Sequence, residues 1–103
     1  MRFIQIIEFR TSRIEEINAA LDSWVAKNAD RRIVTRAVQT RDRDAAGVYL
    51  HIVEFPSYEE AMENSNRPET AEFAAELAKL CSGPPTFRNL DLVREDDYAG
   101  GGG

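Results

Sequence analysis

Hydrophobic and polar residues alternate in four short segments of this chain, and apolar residues at helical spacing fill the intervals between them. Alternation with a period of two, rich in β-branched and aromatic residues, predicts strands at residues 3–9, 33–40, 48–55 and 87–93. A spacing of three and four residues after the first strand predicts a helix. Its apolar stripe consists of Ile14, Ile17, Leu21, Trp24 and Val25. The same spacing after the third strand predicts a second helical segment that runs to Cys81.

Two serine–glutamate pairs indicate where the helices begin. Ser12 with Glu15, and Ser57 with Glu60, have the spacing of a capping box, in which each side chain bonds the backbone N–H of the other residue. The sequence therefore predicts helix starts at both positions.

Proline interrupts the second helical segment. The Pro68 ring removes a backbone donor, but the first position of a helix tolerates this loss. We therefore expect a break between Asn64 and Pro68, near the mouth of any cavity. Polar turns at residues 28–30, 41–47 and 82–85 separate the remaining elements.

The resulting order, βαββαβ, predicts a four-stranded antiparallel sheet with both helices on one face. This topology usually has the strand order 4-1-3-2. With 103 residues the chain has nothing left to cover the other face, so we expect a homodimer that encloses a cavity. Residues 1–98 are predicted to form one domain, and residues 99–103 a flexible glycine tail.

Composition narrows the classes of partner. The net charge is −5 with the acids dispersed, which disfavours a nucleic-acid surface. Arginines concentrate only around the second strand and its turn, which favours a solvated edge over an anion site. No apolar run approaches the ~20 residues that span a bilayer. A single cysteine excludes an internal disulfide, and no signal-like segment opens the chain, so we expect a cytoplasmic protein. One histidine and one cysteine do not make a usual zinc site, and we expect no metal.

Alternation also divides each strand between the two faces of the sheet. The purely aliphatic sets, such as Ile4 with Ile6 and Leu50 with Ile52, are predicted to lie beneath the helices. The mixed aromatic and polar sets are predicted to line a cavity on the uncovered face. On that face we expect Gln5, His51, Asn89 and Asp91 to converge.

His51 is the leading candidate for chemistry, because a neutral-range pKa suits proton transfer and an adjacent Asp91 would orient the ring. A buried histidine with a purely structural hydrogen bond is the alternative. Gln5 and Asn89 would hold a carbonyl or oxyanion, or else bond each other across the sheet. The remaining candidates for substrate binding are Tyr49, Phe55, Asn64 and Phe87.

Residues 2–94 resemble the dimeric α/β barrel superfamily, which has ferredoxin-like subunits. The resemblance rests on the opening strand, on the Val53–Ala61 stretch with its Ser-Tyr-Glu-Glu-Ala motif, and on the interrupted helix through Asn66-Arg67-Pro68. The superfamily includes antibiotic-biosynthesis-type monooxygenases, aromatic polyketide cyclases, haem-degrading enzymes and stress-responsive barrels. Monooxygenase and haem-degrading relatives commonly carry a histidine near the position of Asn64, and this chain has none there.

The resemblance implies a cofactor-independent enzyme, either a monooxygenase or a cyclase, that acts on a small aromatic or polyketide-like molecule. The alternatives are a non-catalytic, stress-related barrel that binds small molecules, and a haem-binding barrel that uses His51. The sequence leaves open which of these it is, as well as the substrate, the reaction and any assembly beyond a dimer.

Overall fold

The computed structural model describes residues 1–29 and 33–98, and the predicted element order is confirmed. The elements are β1 (Phe3–Arg10), α1 (Ile14–Lys27), β2 (Arg36–Arg41), β3 (Val48–Phe55), α2 (Tyr58–Ser65), α3 (Pro68–Leu80) and β4 (Thr86–Asp91). The sheet is antiparallel with the order β2-β3-β1-β4, which is the predicted 4-1-3-2 arrangement. Outside the described residues lie the predicted glycine tail, the last residue of the first turn and two of the clustered arginines, Arg31 and Arg32.

The predicted helix start at Ser57 is confirmed, with one of the two bonds of a capping box. The Ser57 hydroxyl accepts a hydrogen bond from the Glu60 backbone N–H at 3.2 Å and donates to the Glu60 carboxylate at 3.2 Å. The prediction for Ser12 is wrong, because α1 has Arg13 at its N-cap without a side-chain cap. The Thr11 hydroxyl accepts instead from the Arg13 N–H at 2.9 Å and donates to the Leu80 carbonyl at 2.6 Å.

The break before Pro68 is confirmed. α2 ends at Ser65, and α3 begins at Pro68, which stands at its first position. β2 is shorter than predicted, because regular pairing with β3 begins only at Arg36.

The assignment of the sheet faces from sequence is wrong. The helices cover the face with the mixed side chains: Phe3, Ile7, Phe9, Val53 and Phe55 are all less than 10% exposed. Two apolar clusters form there, one of β1 with α1 and α3, the other of β1 and β3 with α2. The clusters bury aromatic rings because a sheet and a helix layer leave a deep space between them, which large side chains fill.

The uncovered face carries the aliphatic sets instead. Ile6 lies opposite Ile52, and Ile52 lies opposite Val38, so three half-buried aliphatic side chains form a row across the sheet. Charged residues surround this row, among them Glu8 and Arg88. None of the helices in the described ranges is long and apolar enough to cross a bilayer.

Candidate functional site

An apolar cavity of about 150 Å³ lies between the sheet and the helices. The strands β1, β2 and β3 form its floor, and α1 and α3 form its roof. Its lining residues are Ile7, Leu21, Trp24, Val25, Val34, Ala37, His51, Val53, Thr70 and Phe73. Small-molecule sites commonly combine such an apolar wall with a few polar groups, and here those groups are His51 and Thr70.

Among the described residues that line this cavity, His51 is the one with an ionisable side chain. It lies in the middle of β3, opposite Ile7 on β1 and Gln39 on β2, and is only 8% exposed. Burial disfavours the imidazolium, so the pKa of His51 is lowered from its ordinary value of 6.5. The ring is therefore neutral at pH 7 and has a nitrogen free to accept a proton.

No acidic partner orients the His51 ring within residues 1–29 and 33–98. Gln39, directly opposite on β2, donates through its side chain to Asn18 of α1 at 2.8 Å. The predicted pairing with Asp91 is wrong, because Asp91 lies opposite Phe3 whereas His51 lies opposite Ile7. The two residues are thus two strand spacings of about 4.8 Å apart, and separated by four residues, or roughly 13 Å, along the strands.

The other predicted polar pair is formed, but away from the cavity. The Gln5 side-chain amide donates to the Asn89 oxygen at 3.2 Å across β1 and β4. This is the alternative in which the two residues bond each other, and it satisfies groups that would otherwise hold a carbonyl.

The three aromatic residues predicted to bind substrate lie away from the cavity. Tyr49 stacks on Phe9 with ring centroids 5.7 Å apart. Phe55 is buried in the α2 cluster, and Phe87 is 53% exposed on the edge strand β4. Gln5, Asn89 and these three rings are all outside the cavity lining as far as the described chain shows.

Asn64 combines burial with an unmet hydrogen-bonding need. It lies on the last turn of α2 and is 6% exposed, and its side-chain oxygen has no hydrogen-bond partner in the described chain. A buried acceptor without a donor costs about 1–3 kcal/mol. Such a group is a candidate to accept a hydrogen bond from a bound molecule or from water.

The roof of the cavity contains residues that the sequence did not single out as functional: Trp24 was placed in an apolar stripe, and Thr70 was given no role. The Trp24 indole N–H donates to the Thr70 hydroxyl at 3.0 Å, and this bond joins α1 to α3 above His51. Phe73 completes the roof. The available signal was the apolar stripe of both helices, which predicted burial correctly but did not indicate that part of the stripe faces a cavity.

The other residue with a potentially reactive side chain, Cys81, lies outside the cavity lining. Cys81 follows α3 directly, is half-buried against the first cluster, and burial raises the pKa of its thiol. In the part of the chain that the structure describes, no three His, Cys, Asp or Glu side chains are grouped as metal ligands.

Comparison with solved structures finds the same fold in several proteins, some of them named as antibiotic biosynthesis monooxygenases. SnoaB, a cofactor-independent oxygenase from Streptomyces nogalater, superposes with a TM-score of 0.76 at 15% identity, over 91% of this chain and 95% of SnoaB. A Caulobacter crescentus protein named as a candidate antibiotic biosynthesis monooxygenase gives a TM-score of 0.77 at 17% identity, over 90% and 91% of the two chains. Rv0793 from Mycobacterium tuberculosis gives 0.75 at 15% identity, over 94% and 100%.

No protein-family model and no curated protein matches the sequence. The likeness is thus one of fold: a ferredoxin-like βαββαβ subunit, as the sequence predicted.

Proposed function

We propose that this protein is a cofactor-independent oxygenase that acts on a small, largely apolar aromatic molecule bound between the sheet and the helices. The observation that carries this proposal is the apolar cavity with one buried, neutral histidine in its wall. The shared fold with SnoaB, itself a cofactor-independent oxygenase, adds support.

The proposed chemistry begins with proton transfer to His51. A phenol or enol in the cavity loses its proton to the neutral imidazole, and the resulting anion is electron-rich enough to react with molecular oxygen. For a methylene group activated in this way, the balance is R₂CH₂ + O₂ → R₂C=O + H₂O. Carbon is oxidised, one oxygen atom enters the product, and the other leaves as water. The apolar wall excludes competing water from the anion.

Asn64 is not among the described residues that line the cavity, so it takes no part in the proposed chemistry. Its buried side-chain oxygen, which has no hydrogen-bond partner in the described chain, is instead a place for a hydrogen bond from an ordered water.

The uncovered sheet face supports a homodimer. Its row of aliphatic side chains with a charged surround has the usual layout of an interface, an apolar centre and a polar rim. β1 and β3 are eight residues long and β2 and β4 six, so the four strands present a face of at most roughly 26 by 19 Å, or about 500 Å². Residues that flank the sheet would have to contribute the rest of the ~800 Å² that each partner buries in a standard interface. We therefore propose that a second copy covers this face.

A second candidate function is binding without catalysis, and one observation favours it. His51 has no orienting hydrogen bond among the described residues, whereas a histidine that transfers protons is commonly held by one. In this reading the cavity stores or senses an apolar molecule, and His51 is a structural wall residue.

The variant His51→Gln separates the two candidates. Oxygen consumption would be followed with a panel of single-ring phenols, naphthols and anthrones, beside urea unfolding of the same preparation. A proton-transfer role predicts a rate lower by roughly 10²–10⁴ with the fold intact. A structural role predicts no catalysed reaction in wild type and a stability change of roughly 1–3 kcal/mol.

The control is Lys79→Gln, an exposed change on α3 outside the cavity. It should leave both the rate and the stability unchanged. A folded His51→Gln protein with the wild-type rate on an oxidised substrate would refute the proposed mechanism.

A further inference from the structure

A second concavity, of about 500 Å³, lies on the outer side of the helix layer, between α1 and α3. It exists because α1 presents small residues, Ala19, Ala20 and Ser23, towards the neighbouring helix. The opposite wall is formed by α3, including Phe73 and Leu80. We call this concavity the outer groove.

The outer groove and the inner cavity share two wall residues, Trp24 and Phe73. The two aromatic rings therefore stand between the surface of the helix layer and the chamber that contains His51. Nothing else in the described lining is common to both spaces. Trp24 with Phe73 thus forms a partition two side chains wide.

The volumes show why the partition matters. An apolar cavity of the inner size, about 150 Å³, holds a single benzene ring. Sites for drug-sized ligands measure about 300–1,000 Å³. The inner cavity alone is too small for a fused aromatic system, whereas the inner cavity joined to the outer groove falls within that range.

We propose that the Trp24 side chain is a movable partition, and that its displacement unites the groove and the cavity into one site for a fused, multi-ring aromatic molecule. This inference rests on the proposed ligand cavity and names the substrate class that it admits. Thr70 is the latch, because its hydroxyl accepts the indole N–H at 3.0 Å.

The local bonding restricts the motion to the side chain. The Trp24 carbonyl accepts from the Asn28 backbone N–H at 3.1 Å and from the Asn28 side-chain amide at 2.8 Å. Asn28 is fully buried. The backbone of Trp24 is therefore fixed at the end of α1, whereas its indole is held to α3 through one hydrogen bond.

Trp24 is the only tryptophan in the chain, so one indole N–H signal in a nitrogen–proton NMR spectrum reports the latch directly. Thr70→Val keeps the shape of the side chain but removes the acceptor, and Thr70→Ser retains a hydroxyl as the matched control. Loss of one hydrogen bond predicts indole N–H exchange with solvent about 2- to 12-fold faster in Thr70→Val. Thr70→Ser should stay close to wild type. Equal exchange in all three proteins would overturn the proposal.

Ligand size provides the second test. p-Cresol has one ring and 9-anthracenemethanol has three. Both are uncharged, so the four glutamates and one lysine of the outer groove neither repel nor attract them as ions, and the comparison reports size. Calorimetry and the indole signal would be recorded together. Binding of the three-ring compound should abolish protection of the indole N–H, whereas p-cresol should bind with protection retained. Binding of the three-ring compound with full protection, or no binding of it to wild type or Thr70→Val, would refute the partition.

These outcomes are independent of catalysis. If the proposed oxygenase function fails, the His51→Gln comparison shows it through oxygen consumption, while the indole signal still reports whether Trp24 moves. If the partition fails, the indole signal shows it, and oxygen consumption remains sensitive to His51.

Discussion

Two adjacent residues of β3 provide the sharpest test of the architecture. Ile52 points to the uncovered face and Val53 to the helix-covered face, because side chains of a strand alternate. We compare Ile52→Lys with Val53→Lys. The two changes introduce the same charge one position apart, so a difference between them reports the face and not the residue type.

The expected magnitudes differ widely. Val53 is 8% exposed within the second cluster, and removing its apolar contacts costs about 1.5–3 kcal/mol. A lysine there must also leave the core or lose its charge, which adds several kcal/mol. The sum takes up much of the 5–15 kcal/mol that holds a typical domain. We expect Val53→Lys to be largely unfolded or insoluble.

Ile52→Lys should instead yield a folded subunit that no longer dimerises. Its charge would lie in the aliphatic row of the proposed interface, which an unpaired lysine would make unfavourable to bury. Light scattering would give the mass, and circular dichroism the fold. Unfolding by urea should depend on protein concentration for wild type but not for this variant, because only an oligomer gains stability by mass action.

Three results would contradict the assignment of the two sheet faces. A dimeric Ile52→Lys protein would show that the aliphatic row is not the interface. A wild-type protein with a monomer mass at micromolar concentration would remove the dimer altogether. A stable, folded Val53→Lys protein would show that the helices do not cover that face.

Three further predictions concern single side chains. Ser57→Ala should lower the free energy of unfolding by about 1 kcal/mol, because it removes a formed helix cap. Ser12→Ala should change it by less than about 0.5 kcal/mol. Equal effects of the two variants in urea unfolding would contradict the assignment of Ser57 as a cap. Asn64→Leu should raise the free energy of unfolding in urea by about 1 kcal/mol or more, because it removes a buried acceptor without a partner; a loss of stability would show that the buried oxygen has a partner. Burial lowers the pKa of His51, so as the pH falls the unfolded chain protonates this histidine before the folded protein does. The contribution of neutral His51 to stability is therefore complete above pH 6.5. It is lost as the pH falls from there towards the pKa in the folded protein. The difference between wild type and His51→Gln should therefore change below pH 6.5, with a slope of at most about 1.4 kcal/mol per pH unit; a pH-independent difference would exclude it.

Local signals in the sequence predicted the elements and their order. The break before Pro68 and the cap at Ser57 depend on backbone geometry within a few residues, so the sequence was sufficient for both. The start of α1 was not predictable in this way. Ser12 does not cap the helix, and the adjacent Thr11 hydroxyl bonds the Arg13 N–H and, through a tertiary contact, the Leu80 carbonyl.

The faces of the sheet could not be assigned from alternation because both are apolar. A face that receives a second copy needs a hydrophobic surface as much as a face beneath helices does, so Ile4 and Ile6 carry the same signal as Phe3 and Ile7. The difference lies in the depth of the space to be filled, which depends on the helices and is not local to a strand.

The candidate site was predictable only in part. His51 was identified because it is the sole histidine and lies on a central strand. Its pairing with Asp91 required the register between β1 and β4, which the sequence does not fix. Trp24 and Thr70 are 46 residues apart and meet only through the packing of α1 on α3.

The cavity roof and the proposed interface lie on opposite sides of the sheet, and this has a consequence for engineering. The roof of the cavity belongs to α1 and α3, whereas the proposed interface belongs to the other side of the sheet. A library that varies Leu21, Val25 and Phe73 would reshape the chamber without touching the surface that a second copy would cover. Directed evolution towards new aromatic substrates could therefore be confined to residues of the helices, and the proposed dimer interface would stay unchanged.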